Sequence, residues 1–467
     1  MQQFDAALVR SQVARFMDRS QIPGMAVGVA REGQPLLVEG FGWRNREADL
    51  PVTPDTVFGV ASVTKSFTAL AIMQLADRGS LSVDDPVSRW LPEFRGPNSD
   101  WIRGMTIHHF LSHTSGLPGM RALFHARAGS IRQDPNRERL GLVADPGEIR
   151  LIRTYQELME LMAETDYELL GPPGTWFNYS NEAYALLQGI IERAGDRPFL
   201  DYMQERVLGP LGMSRSCFRT EELATLEPVT ELYAAQAVNG KLEVFHAPVW
   251  WDVGEIYTNG SLKSSVEDLL RYMEIYRTGG ISGEVRLVSA DAIRQMTTPH
   301  ATLPTGRQYG YGLDVQRDYH GVTLVGHGGA IKGVSAHMLV APEVGISTVA
   351  LCNLSGATPE QVTLGAVNTA LGLEWEERRQ EYPTWPVTPA ALEEYVGTYR
   401  NNEGTSATVQ VVEDTLFLVS GGLPLRTRPV GPDLFVLEAT GSPVRFLRGV
   451  GGKLSALFMG VRVLNKR

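Results

Sequence analysis

A serine and a lysine that can share a proton stand at the start of a predicted helix. Ser62-Val63-Thr64-Lys65 precedes an apolar segment, and residues three apart on a helix point to the same face. A serine hydroxyl is a poor nucleophile at neutral pH, so a neighbouring base must take its proton as it attacks a carbonyl carbon. Ser62 is therefore the candidate nucleophile and Lys65 a candidate base. A helix-capping serine followed by a surface lysine would show the same spacing.

A tyrosine in a loop is the second candidate base. Tyr179-Ser180-Asn181 follows the turn Gly171-Pro172-Pro173-Gly174-Thr175 and precedes a predicted helix. Tyr257-Thr258-Asn259 has the same pattern, which makes Tyr257 a rival. Bringing the pKa of a lysine or a tyrosine to about 7 takes roughly 4 kcal/mol of differential stabilisation. Protonated Lys65 favours a tyrosine phenolate, whereas desolvation favours neutral Lys65, so the residues alone leave the base open.

A histidine flanked by glycines ends a predicted strand. In Val325-Gly326-His327-Gly328-Gly329-Ala330 the glycines let the backbone approach a ligand closely, and edge-strand amides can bind a substrate. Taken alone, His327 also fits a turn histidine. His108 and His109 are adjacent, so their side chains diverge, and the chain has no His-Glu-x-x-His. The sequence therefore predicts neither a metal site nor a cofactor.

A sheet with helices around it must position these residues. Five strand-like runs are expected to form one antiparallel sheet: Met25 to Ala30, Leu36 to Gly40, Val322 to Val325, Ser335 to Ala341 and Ile346 to Cys352. Helical periodicity or capping signals mark five other segments: Phe4 to Phe16, Phe67 to Ala76, Tyr184 to Arg193, Val266 to Arg277 and Thr358 to Leu371. The predicted fold class is α+β.

The chain changes character after residue 375. We expect a main domain over 1–375, a proline-rich linker over 376–390 and a small antiparallel β-barrel over 391–467. Short apolar runs separated by turns predict the barrel: Thr408 to Val412, Leu416 to Val419, Leu434 to Leu437, Val444 to Leu447 and Leu454 to Met459. No catalytic constellation stands out there, which favours a structural or interaction role over a part in covering the site.

Composition is that of a globular protein, with 43% apolar and 21% charged residues. The formal charge of -10 and the scattered basic residues argue against binding to nucleic acid or to a membrane surface. Cys217 and Cys352 are expected to be buried thiols. Residues Met1 to Ser20 carry charges throughout and lack an apolar run of signal-peptide length, so a cytoplasmic location is expected. A homo-oligomer is compatible with the sequence.

Together the motifs resemble the serine β-lactamase and penicillin-binding-protein superfamily, in the branch of class C β-lactamases, D-aminopeptidases, D,D-carboxypeptidases and carboxylesterases. That family carries Ser-x-x-Lys, Tyr-x-Asn, and Lys-Thr-Gly or His-x-Gly, here Ser62 to Lys65, Tyr179 to Asn181 and His327 to Gly329. The similarity spans roughly residues 20 to 372 and implies a β-lactamase/transpeptidase-like fold. The barrel resembles lipocalin-like modules of some peptidases in this branch, through the opening Tyr395-Val396-Gly397-Thr398-Tyr399.

The resemblance also implies roles for the residues. Tyr179 would be the base in acylation and activate water in deacylation, Lys65 would hold the proton network, and Asn181 would orient the carbonyl side of the substrate. His327 and Gly329 would line the substrate site. The oxyanion would be held by the backbone amides of Ser62 and Ala330.

The histidine that replaces the lysine of Lys-Thr-Gly bears on the substrate. Histidine offers a weaker and pH-dependent positive charge for a substrate carboxylate, which disfavours a β-lactamase. We expect an acyl-enzyme hydrolase of short D-residue peptides, amides or small esters. A basic insertion before Tyr179 is expected to be a solvated loop or to roof the site; it contains Arg121, His125, Arg127, Arg132, Arg137 and Arg139.

Two alternatives from other classes remain. One is a catalytically silent relative that acts as a peptide sensor or assembly protein, with intact motifs arguing against it. The other is a Ser-His-Asp hydrolase that uses His113 or His327, which the absence of a Gly-x-Ser-x-Gly motif disfavours.

Overall fold

A large antiparallel sheet forms the centre of the main domain. The computed structural model describes residues 4–142, 149–238, 241–420 and 423–467. Within these ranges the strands that precede the barrel are β1 (Gly24–Arg31), β2 (Gln34–Asn45), β3 (Leu50–Pro51), β4 (Phe58–Gly59), β5 (Tyr233–Val238), β6 (Lys241–His246), β7 (Lys263–Ser264), β8 (Ile281–Ser282), β9 (Val285–Arg286), β10 (Ala301–Thr302), β11 (Gln308–Tyr309), β12 (Asp314–Tyr319), β13 (Val322–Ile331), β14 (Val334–Ala341) and β15 (Ile346–Cys352).

The predicted strands are neighbours in this sheet. Nine strands pair in the order β10-β11-β12-β13-β14-β15-β1-β2-β3. The five runs expected from the sequence are β13, β14, β15, β1 and β2, and each pair along that series is antiparallel. The α+β prediction is therefore confirmed, and the long gap between β2 and β13 is where the chain builds most of its helices.

Helices pack on both faces of the sheet. They are α1 (Ala6–Ser20), α2 (Thr64–Asp77), α3 (Val87–Trp90), α4 (Ser99–Gly104), α5 (Ile107–Leu111), α6 (Ala122–Gln133), α7 (Tyr155–Glu164), α8 (Asn181–Gly195), α9 (Phe199–Met203), α10 (Val266–Thr278), α11 (Ala290–Met296), α12 (Glu360–Leu371) and α13 (Pro389–Leu392). The predicted helical segments lie in α1, α2, α8, α10 and α12.

Alternation along β1 explains how both faces are covered. Ala26 and Ala30 belong to the large core that includes α2, α8 and α10, whereas Met25, Val27 and Val29 pack with α1 and α12. Successive side chains of a strand point to opposite faces, so a strand buried on both sides is apolar throughout. Gly-Met-Ala-Val-Gly-Val-Ala therefore forms a central strand.

The C-terminal region closes into an eight-stranded antiparallel barrel. Its strands are β16 (Gly397–Arg400), β17 (Ser406–Val412), β18 (Thr415–Ser420), β19 (Leu423–Gly431), β20 (Leu434–Leu437), β21 (Pro443–Arg448), β22 (Leu454–Met459) and β23 (Arg462–Lys466). The five predicted runs are β17, β18, β20, β21 and β22, and the predicted barrel is confirmed. The domain limits at 375 and 390 stay predictions.

Two further observations concern the chain as a whole. Cys217 and Cys352 are buried free thiols, and burial raises the pKa of Cys217 to about 11 and that of Cys352 to about 12. Across the part of the chain that the structure describes, every helix is too short or too polar to cross a bilayer.

Candidate active site

Ser62 lies in a strained turn at the start of the most buried helix. The turn Ala61–Val63 is one stretch of 3-10 helix that runs directly into α2, and nearly all of α2 is buried. Ala61 has a φ of 45°, in the left-handed region that costs a residue with a Cβ free energy. Thr64 secures the turn, because its hydroxyl donates to the Ala61 carbonyl at 2.6 Å and accepts from the Leu262 amide at 3.1 Å. The turn thus holds Ser62 in one place.

Lys65 is fully buried and all its hydrogen-bonding positions are used. Its Nζ lies 3.2 Å from Ser62 Oγ, 2.9 Å from Asn181 Oδ1 and 2.6 Å from the Asn259 carbonyl oxygen. A protonated amine would donate to all three oxygens. A neutral amine would donate to Asn181 and Asn259 and accept the proton of Ser62, so the same geometry also suits a base.

Electrostatics favours the neutral amine. Burial lowers the pKa of Lys65 well below its ordinary value, and the charges of Arg462 and Arg127 lower it further, against the opposing effect of Glu182 and Glu403. Burial acts in the other direction on a phenol. It raises the pKa of Tyr179, and the nearby Ser62 hydroxyl and the charge of Arg462 offset part of that rise.

Tyr179 lies beside this amine. Lys65 Nζ is 4.8 Å from the centre of the Tyr179 ring, within cation–π distance. The phenol oxygen is buried and, among the described residues, has no hydrogen bond of ordinary geometry, although Ser62 is near enough to lower its pKa. A buried hydroxyl without a partner is costly. Within the described ranges the Tyr179 hydroxyl is therefore left available for a further hydrogen-bond partner.

The barrel holds Tyr179 in place, which the sequence did not predict. The Tyr179 amide donates to the Val461 carbonyl at 3.1 Å, and the Val463 amide donates to Asn178 Oδ1 at 2.9 Å. The Arg462 guanidinium carbon lies 4.8 Å from the centre of the Tyr179 ring. These contacts come from the turn between β22 and β23 and from the first two residues of β23. No feature of residues 454–467 distinguishes them from ordinary hairpin residues, so the sequence offered no signal for this role.

Strand β13 approaches the Ser62 turn through Gly329. A Cβ at position 329 would lie 2.1 Å from the Val60 carbonyl oxygen and 2.9 Å from the Ser62 amide nitrogen. The backbone of β13 thus approaches the Ser62 turn closely, and this brings Ala330 to the cavity beside Ser62. Asn181 reaches the same place because Ser180 caps α8, where its hydroxyl accepts from the Ala183 amide at 3.1 Å.

His327 is a neutral, buried residue next to the tyrosines. It is 4% exposed, its Nε2 lies 3.0 Å from the Tyr309 hydroxyl, and its ring centre is 6.2 Å from that of Tyr179. Burial lowers the pKa of His327 to about 4, with the charge of Asp314 opposing. The positive charge expected for it is therefore absent at neutral pH.

A small cavity opens at Ser62. Its volume is about 90 Å³, and Ser62, Asn181 and Ala330 share its lining with Arg127. The other side chains that define its character are Phe218, Trp250, Trp251, Asp252 and Lys263. An aromatic wall with a few polar groups is typical of a site for a small organic molecule.

A buried carboxyl group follows Asn181 in the first turn of α8. Glu182 is 1% exposed, and neither of its carboxylate oxygens has a hydrogen-bond partner in the described part of the chain. Burial, followed by the charge of Glu403, raises the pKa of Glu182 to about 8, while Arg462 and Arg127 act in the opposite direction. Sequence analysis missed this residue, since a glutamate in the first turn of a helix is normally exposed.

The rival residues lie elsewhere or have other partners. Tyr257 packs against Phe199 and Phe218, and only the carbonyl of Asn259 in its motif reaches Lys65. His113 is fully buried, and its Nδ1 accepts a hydrogen bond from the Ser180 amide at 3.1 Å. A histidine whose Nδ1 accepts from the backbone positions a loop rather than activating Ser62. The described residues hold no cluster of His, Cys, Asp or Glu that could bind a metal.

The basic insertion forms α6 and contributes one residue to the cavity, Arg127. The other five bond to or stack on neighbouring groups: Arg121 on Phe124, His125 to the Arg150 carbonyl, Arg132 to the Ile149 carbonyl, Arg137 to the Arg132 carbonyl, and Arg139 on Phe245 and with Glu243. The part of the insertion over residues 143–148 lies outside the described residues.

The sequence and the fold of the chain are both similar to those of known proteins. Residues 9–371 match the family Beta-lactamase. Esterase EstB of Burkholderia gladioli is 31% identical, over 75% of this chain and 91% of its own length. A D-aminopeptidase of Gluconobacter oxydans (strain 621H) is 26% identical, over 87% of this chain and 68% of its own. The octameric penicillin-binding protein homologue from Pyrococcus abyssi superposes with a TM-score of 0.70 at 27% identity, over 99% of this chain and 100% of that one.

Proposed function

The chain belongs to the β-lactamase family and thereby to the serine hydrolases, and on that premise we propose that it hydrolyses small D-amino-acid peptides or amides and small esters through an acyl-enzyme on Ser62. The observation that carries the proposal is the contact of Lys65 Nζ with Ser62 Oγ at 3.2 Å, inside a site that favours the neutral amine. The names of the two curated relatives, an esterase and a D-aminopeptidase, support the substrate classes.

The proposed acylation uses Lys65 as the base. Ser62 Oγ attacks the substrate carbonyl carbon while its proton passes to Lys65 Nζ, and the backbone amides of Ser62 and Ala330 stabilise the oxyanion. The tetrahedral intermediate then expels an amine or an alcohol, which takes a proton from the Tyr179 hydroxyl, and Lys65 returns a proton to Tyr179. The family resemblance predicts Tyr179 as the acylation base, but the burial that raises its pKa makes Lys65 the better base for this step.

Deacylation reverses the direction of proton transfer. A water molecule attacks the ester carbonyl of the acyl-enzyme, gives up a proton to the Tyr179 and Lys65 pair, and Ser62 leaves with the proton returned to its oxygen. Asn181 fixes Lys65 through the 2.9 Å contact and lines the cavity, so it positions both the amine and the substrate. The products are a carboxylic acid and an amine or alcohol.

Labelling with a serine-directed phosphonate tests the nucleophile. We expect intact-mass spectrometry to show one phosphonyl adduct on the wild type and none on Ser62→Ala. Tyr179→Phe should lower turnover of p-nitrophenyl acetate by about 100-fold or more, because general acid–base catalysis contributes that much. Tyr257→Phe is the matched control. An adduct on Ser62→Ala, or equal losses in both tyrosine variants, would refute the assignment.

Substrate profiling separates the proposed classes. We expect D-alanine p-nitroanilide or p-nitrophenyl acetate to be hydrolysed far faster than the L-anilide or a chromogenic cephalosporin. No turnover of any of them, together with saturable peptide binding, would instead indicate the peptide sensor.

We also propose that the protein is a homo-oligomer. The octameric state named for the Pyrococcus abyssi homologue, which aligns over nearly the whole of this chain, supports the proposal. Light scattering on the purified protein tests it, and a mass equal to one chain of 51.3 kDa would refute it.

A further inference from the structure

Arg127 is a cation of the cavity, and no hydrogen bond of its guanidinium is seen among the described residues. It lies on α6 and lines the cavity together with Ser62 and Asn181. Its Nε is buried and, within the ranges that the structure describes, is without a hydrogen-bond partner. A guanidinium presents five donors, so leaving a buried one without a partner is costly unless a ligand supplies acceptors.

Of the other candidate cations, Lys263 already has hydrogen-bond partners and His327 is neutral. Lys263 Nζ donates to the Phe218 carbonyl at 2.7 Å and to the Thr220 hydroxyl at 3.3 Å. His327, the residue expected to supply positive charge, is neutral at neutral pH. Asp252, the acid of the lining, accepts from the Gly254 amide at 3.2 Å. Arg127 is thus left as the group that can receive an anion.

The charges around Arg127 sum to an excess of positive charge. Four groups share its electrostatic surroundings: Lys65, Arg462, Glu182 and Glu403. Arg462 is paired with Glu403 through Nε at 2.6 Å, which cancels one charge of each sign. Burial favours the neutral form of both Lys65 and Glu182, because it lowers the pKa of the first and raises that of the second, and with both neutral the net charge of the five groups is +1.

We infer that Arg127 is a specificity-determining residue that binds a carboxylate, or an isosteric anionic group, on the substrate portion next to the scissile carbonyl. The inference rests on the proposed function and adds to it a preference, among otherwise matched substrates, for those with an anionic group on the acyl portion. A planar guanidinium matches a carboxylate through two parallel hydrogen bonds, which a lysine cannot form. The aromatic side chains Trp250 and Trp251 in the same lining would pack against the methylenes that join the two groups.

Two esters that differ in one charge test the inference. The first is p-nitrophenyl hydrogen adipate and the second its methyl ester, and the readout is the ratio of their kcat/KM values. We expect the wild type to prefer the anionic ester by about 10- to 100-fold, the range of a charged hydrogen-bonded contact. Arg127→Gln should bring the ratio to about one, and Arg127→Lys should give an intermediate ratio.

Arg121→Gln is the matched control. Arg121 lies one residue before α6, is exposed, and stacks on Phe124, so its substitution should leave the ratio as in the wild type. Thermal melting shows whether each variant is folded. A wild-type ratio near one, or an Arg127→Gln ratio equal to that of the wild type, would overturn the inference. Hydrolysis of the methyl ester in the same assay would still support the proposed function.

Calorimetric titration distinguishes a failure of the proposed function from a failure of the inference about Arg127. If the wild type hydrolyses neither ester and Ser62 is not labelled, the proposed function fails, and binding of the same esters then decides the role of Arg127. Ser62→Ala should bind the anionic ester more tightly than the methyl ester, and Ser62→Ala/Arg127→Gln should bind both alike. Equal binding by Ser62→Ala would overturn the inference.

Discussion

Replacing Gly329 by alanine should disable the site through a single steric contact. The added Cβ would lie 2.1 Å from the Val60 carbonyl oxygen, about 1 Å closer than an ordinary carbon–oxygen contact of about 3.2 Å. The backbone φ at Gly329 lies outside the left-handed region, so alanine is conformationally permitted and the clash is the whole perturbation. Either β13 or the Ser62 turn must therefore move by about 1 Å.

The expected loss follows from that displacement. The two backbone amides of the proposed oxyanion site, those of Ser62 and Ala330, lie on the two segments that are pushed apart, and a misplacement of about 1 Å costs about 100-fold in rate. That factor corresponds to about 2.7 kcal/mol. Overpacking should lower the free energy of unfolding by about 1–3 kcal/mol, which leaves the protein folded at room temperature.

The neighbouring glycine provides the control. A Cβ at Gly328 would meet His337 Cδ2 at 3.4 Å and the Ala336 carbonyl oxygen at 3.8 Å, both ordinary contacts. We expect Gly328→Ala to acylate with a phosphonate within about threefold of the wild-type rate, and Gly329→Ala about 100-fold more slowly, both followed by intact-mass spectrometry. Wild-type acylation in Gly329→Ala, or equal losses in both variants, would refute the reasoning.

Three further predictions concern charge. Because burial raises the pKa of Glu182 to about 8, the folded protein keeps a proton that the unfolded chain releases. The stability of the wild type should therefore fall as pH rises from about 5 to 8, by up to about 1.4 kcal/mol per pH unit. The melting temperature of Glu182→Gln relative to that of the wild type should rise over this pH range, and a constant difference would contradict the prediction. Because the charge of Arg462 lowers the pKa of Lys65, Arg462→Met should move the acidic limb of the acylation–pH profile to higher pH, whereas Lys466→Met, on the same strand, should not. His327→Gln should leave the shape of that profile between pH 5 and 8 unchanged, since the pKa of His327 is about 4; a limb that disappears would show that His327 titrates in this range.

Local patterns in the sequence were sufficient for the fold and for the core of the site. Apolar runs such as Met25 to Ala30 predicted strands of one antiparallel sheet, and the structure pairs them in that way. Ser62 and Lys65 are one helical turn apart, so their contact depends on local geometry alone. Consecutive glycines predicted a strand whose backbone can be approached closely by a ligand; in the structure the missing Cβ of Gly329 lets β13 lie against the Ser62 turn.

The tertiary structure decided which groups meet across long sequence separations. Arg462 contacts Tyr179 and Arg127 lines the cavity only because separate elements pack there. For the same reason the carboxyl group of Glu182 is buried, with no hydrogen-bond partner in the described part of the chain. A charged residue in a sequence carries no record of whether it will be desolvated, and desolvation sets the pKa values of Lys65, Tyr179 and His327. The sequence by itself thus determined which chemical groups are present and which strands and helices hold them; packing alone determined their charge states and their partners.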